Sequence, residues 1–212
     1  MQVPQSWARA RFTLFVTLAT AAVYVLLATL GWDAWAAVWG GFIPARLSFG
    51  GDEMLAPFWI TPLTAAFLHA NLLHLFFNLL ILVFCGRPTE AVVGTPGMVV
   101  LYVLGAYAAA AAQYAAGPTS AVPMIGASGA ISAVLGAYAI LFGRNKVKVS
   151  NPQLAMLLNA LWLMAAWVVL QLIVGFTFAS AGMGIAIAAH IGGFAVGLIL
   201  ANPLLLFRYR NA

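Results

Sequence analysis

A chain of 212 residues that is 65% hydrophobic and only 6% charged, with a mean hydropathy of +1.04, cannot be a water-soluble domain under an ordinary surface. Lipid has to cover much of it, and the formal net charge of +5 must be read within that constraint. Because a charge near the bilayer centre is costly, the long intervals between charged residues mark the candidate spans.

The interval from Arg11 to Asp33 holds span one, residues 12–31. Roughly 20 apolar residues at 1.5 Å each cross about 30 Å of hydrocarbon. Ala34-Trp35-Ala36 loosely resembles a small-residue cleavage site, but the apolar run exceeds the h-region of about 7–15 residues usual in a secretory signal. An outer interfacial loop, 32–60, carries Trp32, Trp35, Trp39 and Trp59, four of the seven tryptophans. Indole rings favour the headgroup level, so the loop reads as an aromatic belt or as a surface that touches substrate.

Span two, 62–85, is expected to begin its helix near Pro62, since proline fits a first helical turn. It carries His69, His74 and Asn78 and ends at Cys85, the single cysteine, which excludes an intrachain disulfide and reads as a packing residue. The interval from Glu90 to Arg144 is too long for one crossing, and Gly117-Pro118-Thr119-Ser120 divides it into spans 97–116 and 124–143. Lys148 to Arg208 divides similarly at Ala179-Ser180-Ala181-Gly182, giving spans 157–178 and 183–206. With no long linker and no fixed-period repeat, residues 1–212 read as one all-α polytopic membrane domain, a six-transmembrane-helix bundle.

Basic residues accumulate in cytoplasmic segments. Arg9, Arg11, Arg87, Arg144, Lys146, Lys148, Arg208 and Arg210 fall on one side of the six spans and Arg46 alone on the other, so both termini are expected to be cytoplasmic. Topology therefore accounts for the pI near 9.8 without nucleic-acid binding.

Polar residues at membrane depth are costly unless partnered or functional. His69, His74 and Asn78 on span two, Ser128 at the start of span four and His190 near the start of span six all fall in the outer half. Taken singly, each has a plain explanation. Ser128 lies in the small-residue run Gly126-Ala127-Ser128-Gly129, which lets helices approach, and a lone membrane histidine serves as a hydrogen-bonded structural residue or a proton relay. Gly129, Ala133 and Ala137 form one small-residue stripe, and Gly193 and Gly197 form another beneath His190, so spans four and six are expected to pack closely. That packing would bring Ser128 to His190. Neutral imidazole can then take the serine proton, and His74, the Asn78 amide and the Ser128 backbone N–H are candidate donors to an oxyanion. No Asp or Glu lies at the depth of His190, so a dyad is expected, its base held by packing alone.

A zinc site from the three histidines is the competing chemistry. His69 and His74 are five apart, well around a shared helix from one another, and no His-Glu-x-x-His pattern is present. A transporter or channel would line both halves of the membrane with polar groups, whereas here the ionisable residues at membrane depth concentrate in the outer half. An inactive membrane-client binder would need none of the reactive set.

The segment from His69 through His74 to Asn78 resembles the His-x4-His-x3-Asn segment on the second core helix of the rhomboid family of intramembrane serine proteases. Gly126-Ala127-Ser128-Gly129 resembles that family's Gly-x-Ser-Gly motif, and Ala189-His190 with Gly193 and Gly197 resembles its sixth helix. The resemblance implies a six-helix core, Ser128 as nucleophile, His190 as general base, and His74 and Asn78 as oxyanion donors. It implies single-span membrane proteins as substrates, no cofactor or metal, and a place in the bacterial inner membrane. Two departures stand out. Ile60 and Thr61 occupy the positions of a loop Trp-Arg pair common in the family, and Ser132 stands where many members have an aromatic that stacks on the histidine.

Overall fold

The computed structural model describes residues 10–50, 54–143, 149–180 and 186–210. Arg9, Glu53, Arg144, Lys146, Lys148, Ala181, Gly182 and the expected start of the last span at 183 lie outside them. Among the described residues, four helical stretches are long and apolar enough to cross a bilayer: Arg11–Leu30, Leu72–Ala116, Pro152–Ile173 and Ile187–Arg208.

The first crossing is α1, Arg11–Leu30, which Gly31 ends in a left-handed conformation. Its N-terminus has no capping side chain of its own. A helix start leaves backbone N–H groups without intrahelical partners, which is costly out of water. Glu90 satisfies two of them from far along the chain: its carboxylate accepts from Phe12 N at 2.9 Å and Thr13 N at 2.8 Å. The same carboxylate accepts from the Thr13 hydroxyl at 2.7 Å and the Thr95 hydroxyl at 2.7 Å. Glu90 is 0% exposed, so these charge-assisted bonds are made out of water, at the end of α1 where the dipole favours an anion. Replacing Glu90 by alanine is expected to destabilise the fold by about 3–5 kcal/mol, the scale of breaking a buried charged network. A fall in thermal midpoint in detergent measures it, and Glu90→Gln, which keeps one carbonyl acceptor, should fall less.

The loop expected at 32–60 contains α2, Asp33–Gly40, α3, Ala45–Phe49, and a 3-10 turn at Phe58–Ile60, and α4 at Thr61–Thr64 and another 3-10 turn at Ala65–Phe67 follow it. Trp32, Trp35, Trp39 and Trp59 are exposed, with Trp35 stacked on Trp39. Arg46 Nη2 donates to the Ala56 carbonyl at 2.8 Å, Thr64 Oγ1 to Gly40 O at 2.6 Å, and the Tyr107 hydroxyl to Trp59 O at 2.8 Å. These bonds tie the loop to itself and to the bundle without an arginine at Thr61.

The helix start expected at Pro62 is corrected here. Pro62 sits in the short α4, and Leu68 is extended. The long helix α5, Leu72–Ile81, begins only after Asn71, whose side chain caps it by accepting from His74 N at 2.8 Å. A π-helical turn, Leu82–Gly86, joins α5 to α6, Arg87–Ala116. Gly94 interrupts α6 at φ 78° and ψ 163°, a region open to little but glycine, and a Cβ there would meet Arg208 Nη1 at 2.6 Å. The chain doubles back at this point: Met98 beyond it lies against Gly86 before it.

The second limb of α6 packs with α7, Ser128–Phe142, and α9, Ile187–Arg208, around a core that includes Leu101, Tyr102, Ala130, Val134 and Ala201. Small residues form the joints. A Cβ on Gly105 would meet that of Ala133 at 2.6 Å, and one on Gly192 would meet that of Ala112 at 2.5 Å. Between α7 and α9 the approach is backbone to backbone, because a Cβ on Gly193 or Gly197 would collide with the carbonyl oxygen of Gly129 or Ala133. The pairing of 129 with 193 and 133 with 197 makes these helices parallel, so both begin at the same end of the bundle.

Helix α8, Pro152–Ser180, lies against α9 and is attached lightly. Among its residues through Ile173 the only buried ones are two amides, Asn159 and Gln171.

Candidate active site

Ser128 is the first residue of α7, after a turn that Gly126 makes at φ 114°. The turn is held by Gly126 N donating to Ala65 O at 2.9 Å, and just upstream Met124 and Phe42 exchange two backbone bonds. Helix α7 has 15 residues. At 1.5 Å per residue it is about 22 Å long, roughly 8 Å short of a 30 Å hydrocarbon core, so a helix of this length can start well inside the boundary. The expected span beginning at 124 therefore enters as extended chain. The N–H groups of the first turn have no intrahelical partner, and the positive end of the α7 dipole lies at Ser128.

His190 stands in the first turn of α9, the other helix of the close seam. Its Nε2 is 2.7 Å from Ser128 Oγ, although the two residues are 62 apart in sequence. Its Nδ1 is 2.7 Å from Gln171 Oε1 on α8. A carbonyl oxygen can only accept, so the ring proton sits on Nδ1 and the Nε2 lone pair faces the serine hydroxyl. This corrects the expectation that packing alone holds the base. Trp167, one turn before Gln171, donates Nε1–H to the His190 carbonyl at 3.3 Å and stacks on Phe194 with centroids 5.1 Å apart. Ser132 faces the seam, and its hydroxyl donates to the Ser128 carbonyl at 2.7 Å.

His74 lies in the first turn of α5. Ala70 N–H points at its Nδ1 across 3.5 Å, which leaves the ring proton on Nε2. That edge faces the Gly126 turn: a Cβ on Gly126 would lie 2.7 Å from His74 Nε2 and 3.7 Å from Ser128 Oγ. Glycine is thus needed both for the turn and for the room.

His69 does not share the helix of His74. It lies in the extended segment before Asn71, buried, with its ring tilted against His74 at 4.9 Å between centroids, so the two are neighbours and not on diverging faces. Asn78 is buried one turn below His74, and its Nδ2 donates to the His74 carbonyl at 2.8 Å. One amide hydrogen is used there and the other is left, but the side chain bonds to its own helix and not to Ser128 or His190. Gly129, Gly193 and Gly197 form the seam beneath the pair. Among the described residues no group of three His, Cys, Asp or Glu side chains is arranged to hold a metal.

Gln171 is the residue that attention to His, Ser and Asn on the motif-bearing spans passes over. Its signal is present, an amide in the apolar run between Trp167 and Phe176, where a polar group without a partner would be costly.

Comparison with known proteins agrees with this arrangement. The family model described as Rhomboid domain matches residues 57–207. A protein of Pectobacterium atrosepticum named Rhomboid protease GlpG is 32% identical over 191 residues, 89% of this chain and 61% of its own length. Its namesake in Serratia proteamaculans is 35% identical over 138 residues, 64% of this chain and 45% of its own. Another in Yersinia pestis is 29% identical over 198 residues, covering 89% and 61%. The matched part of this chain thus spans about three fifths of the relatives' length or less. With a family model matching most of the chain across the helices that carry Ser128, His190, His74 and Asn78, this integral membrane protein belongs to the rhomboid family.

Proposed function

We propose that the chain is an intramembrane serine endopeptidase working through a Ser128–His190 dyad. The observation that carries this reading is the 2.7 Å contact of Ser128 Oγ with an imidazole nitrogen whose other nitrogen is already bonded. His190 Nε2 removes the hydroxyl proton as Oγ attacks the scissile carbonyl, and the carbonyl oxygen becomes an oxyanion. The Ser128 N–H, the His74 Nε2–H and the positive end of α7 stabilise that charge, with Asn78 as a further donor through its remaining hydrogen. His190 then gives the proton to the leaving amine as the C–N bond breaks. Water, deprotonated by the same base, then attacks the acyl carbon, and His190 returns the proton to Ser128 Oγ as the acyl–oxygen bond breaks.

The substrates are single-span membrane proteins, cut where their helix meets or enters the outer half of the bilayer. A helical peptide bond has its carbonyl engaged in the i to i−4 ladder, so the cut segment must unwind to reach Ser128. The bias of basic residues supports cytoplasmic termini, and the bacterial origin of the relatives named above supports a bacterial membrane, which we read as the inner one. Purified protein treated with a fluorophosphonate tests the reading. Mass spectrometry should find the adduct on Ser128 and none after His190→Ala, and labelling elsewhere, or unchanged labelling in the variant, would contradict the dyad.

A further inference from the structure

Helix α8 supplies a side chain to the site that the dyad as described does not require. We propose that Gln171 is the positioning residue of the catalytic base, supplying as a neutral acceptor the bond to His190 Nδ1–H that a carboxylate supplies in a triad. The inference rests on the reading of Ser128 as nucleophile and His190 as base.

The first support is geometric. Gln171 Oε1 is 2.7 Å from Nδ1 while Nε2 faces Ser128 at the same distance, so the imidazole is held at both nitrogens. A second comes from how α8 is placed. Leu161, Trp162, Val169, Leu170, Leu172 and Ile173 are exposed, as suits a helix facing lipid, while Gln171 is 5% exposed. An amide bonds well across membrane helices and is costly there without a partner, so its inward placement is accounted for by the bond it makes. Trp167 supplies the third: its bond to the His190 carbonyl fixes the rotation of α8, and Gln171 follows four residues later on the same face.

Among the described residues no other side chain is bonded to His190 Nδ1. The acidic residues are Asp33, Asp52 and Glu53 in the outer loop and Glu90 at the start of α1, and Ser132 bonds its own helix. Gln171 also avoids burying a carboxylate, which would be costly in this setting. What it gives up is charge: a neutral carbonyl stabilises the imidazolium less than a carboxylate does, while still selecting the productive tautomer.

The test compares variants at one position in the full-length protein. Gln171→Leu and the nearly isosteric Gln171→Met remove the acceptor. Each should lower kcat for a single-span substrate by about 10- to 100-fold, the scale for losing a group that orients a reacting histidine, with KM unchanged. The rate at which fluorophosphonate labels Ser128 should fall by the same factor, a readout that needs no substrate. Gln171→Glu keeps an acceptor oxygen at the same reach and should restore both rates to within about threefold of wild type. Thermal unfolding in the same detergent identifies which variants are folded, and if the Leu variant is not, the Met and Glu variants decide. Wild-type rates in folded Gln171→Met, or a Glu variant as slow as Met, would overturn the positioning role while leaving the dyad intact. A wild-type protein whose Ser128 is inert would overturn the dyad reading and this inference together.

Discussion

Ser128→Ala is expected to lose substrate cleavage almost completely, with kcat/KM reduced on the order of 10⁴- to 10⁶-fold, or about 5–8 kcal/mol of transition-state stabilisation. The alanine leaves His74, Asn78 and the α7 dipole in place, so binding is expected to persist while the bond-forming atom is gone. His190→Ala should cost a similar factor, because an unactivated hydroxyl is a poor nucleophile. The two losses should not add. Residues that act as a unit give a double variant no slower than the slower single one. A time course of cleavage of a model single-span protein in detergent or liposomes measures all three. Residual cleavage above one percent in Ser128→Ala would assign the nucleophile elsewhere.

The second large effect belongs to the α7–α9 seam. Gly197→Ala places a methyl group against the carbonyl of Ala133, and Gly193→Ala places one against that of Gly129. Neither collision can be relieved by a rotamer change, because backbone atoms stand on the far side, so the helices must part. Overpacking of this kind costs about 1–3 kcal/mol per site. The catalytic cost is larger. Ser128 and His190 sit at the same end of the two parting helices, and about 1 Å of misplacement can cost on the order of 100-fold in rate. Gly193→Ala, nearer the pair, should be the more damaging for kcat, while both lower the thermal midpoint. Leu206→Ala, on the exposed face of α9, is the control and should change neither. A Gly193→Ala enzyme with wild-type kcat would show that the seam does not set the geometry of the site.

Much of this was legible because charge is so scarce in the chain. The helical membrane bundle follows from apolar intervals, and the approach of Ser128 to His190 follows from glycine and alanine at four-residue spacing on both helices. Proline at 62 is a weaker start signal than a capping side chain: Asn71 before an apolar run caps α5, so its start moves from Pro62 to Leu72 and His69 leaves the helix of His74. What remained out of reach depends on distant partners. Glu90 reads as a charge that ends a span, and nothing near it in sequence indicates the Thr13 backbone 77 residues away. Gln171 is similar, since its meaning depends on the rotation of α8 about its own axis, which the Trp167 and Phe194 contact fixes and which an evenly apolar helix does not reveal.

The Glu90 carboxylate also bears on biogenesis. When α1 enters the bilayer its first-turn amides have no partner, and they can be satisfied only by water and headgroups until the residue that caps them is synthesised and inserted. The α1 start and Glu90 therefore leave water together, in a docking event that cannot precede the synthesis of Glu90. The backbone carbonyl of that same Glu90 accepts from Arg208 Nη1 at 3.4 Å. One residue from the middle of the chain thus joins the start of the first of these helices to the end of the last. In a nascent protein the α1 start can be capped once Glu90 is inserted, but the bond from Arg208 that completes the junction forms only when α9 is complete.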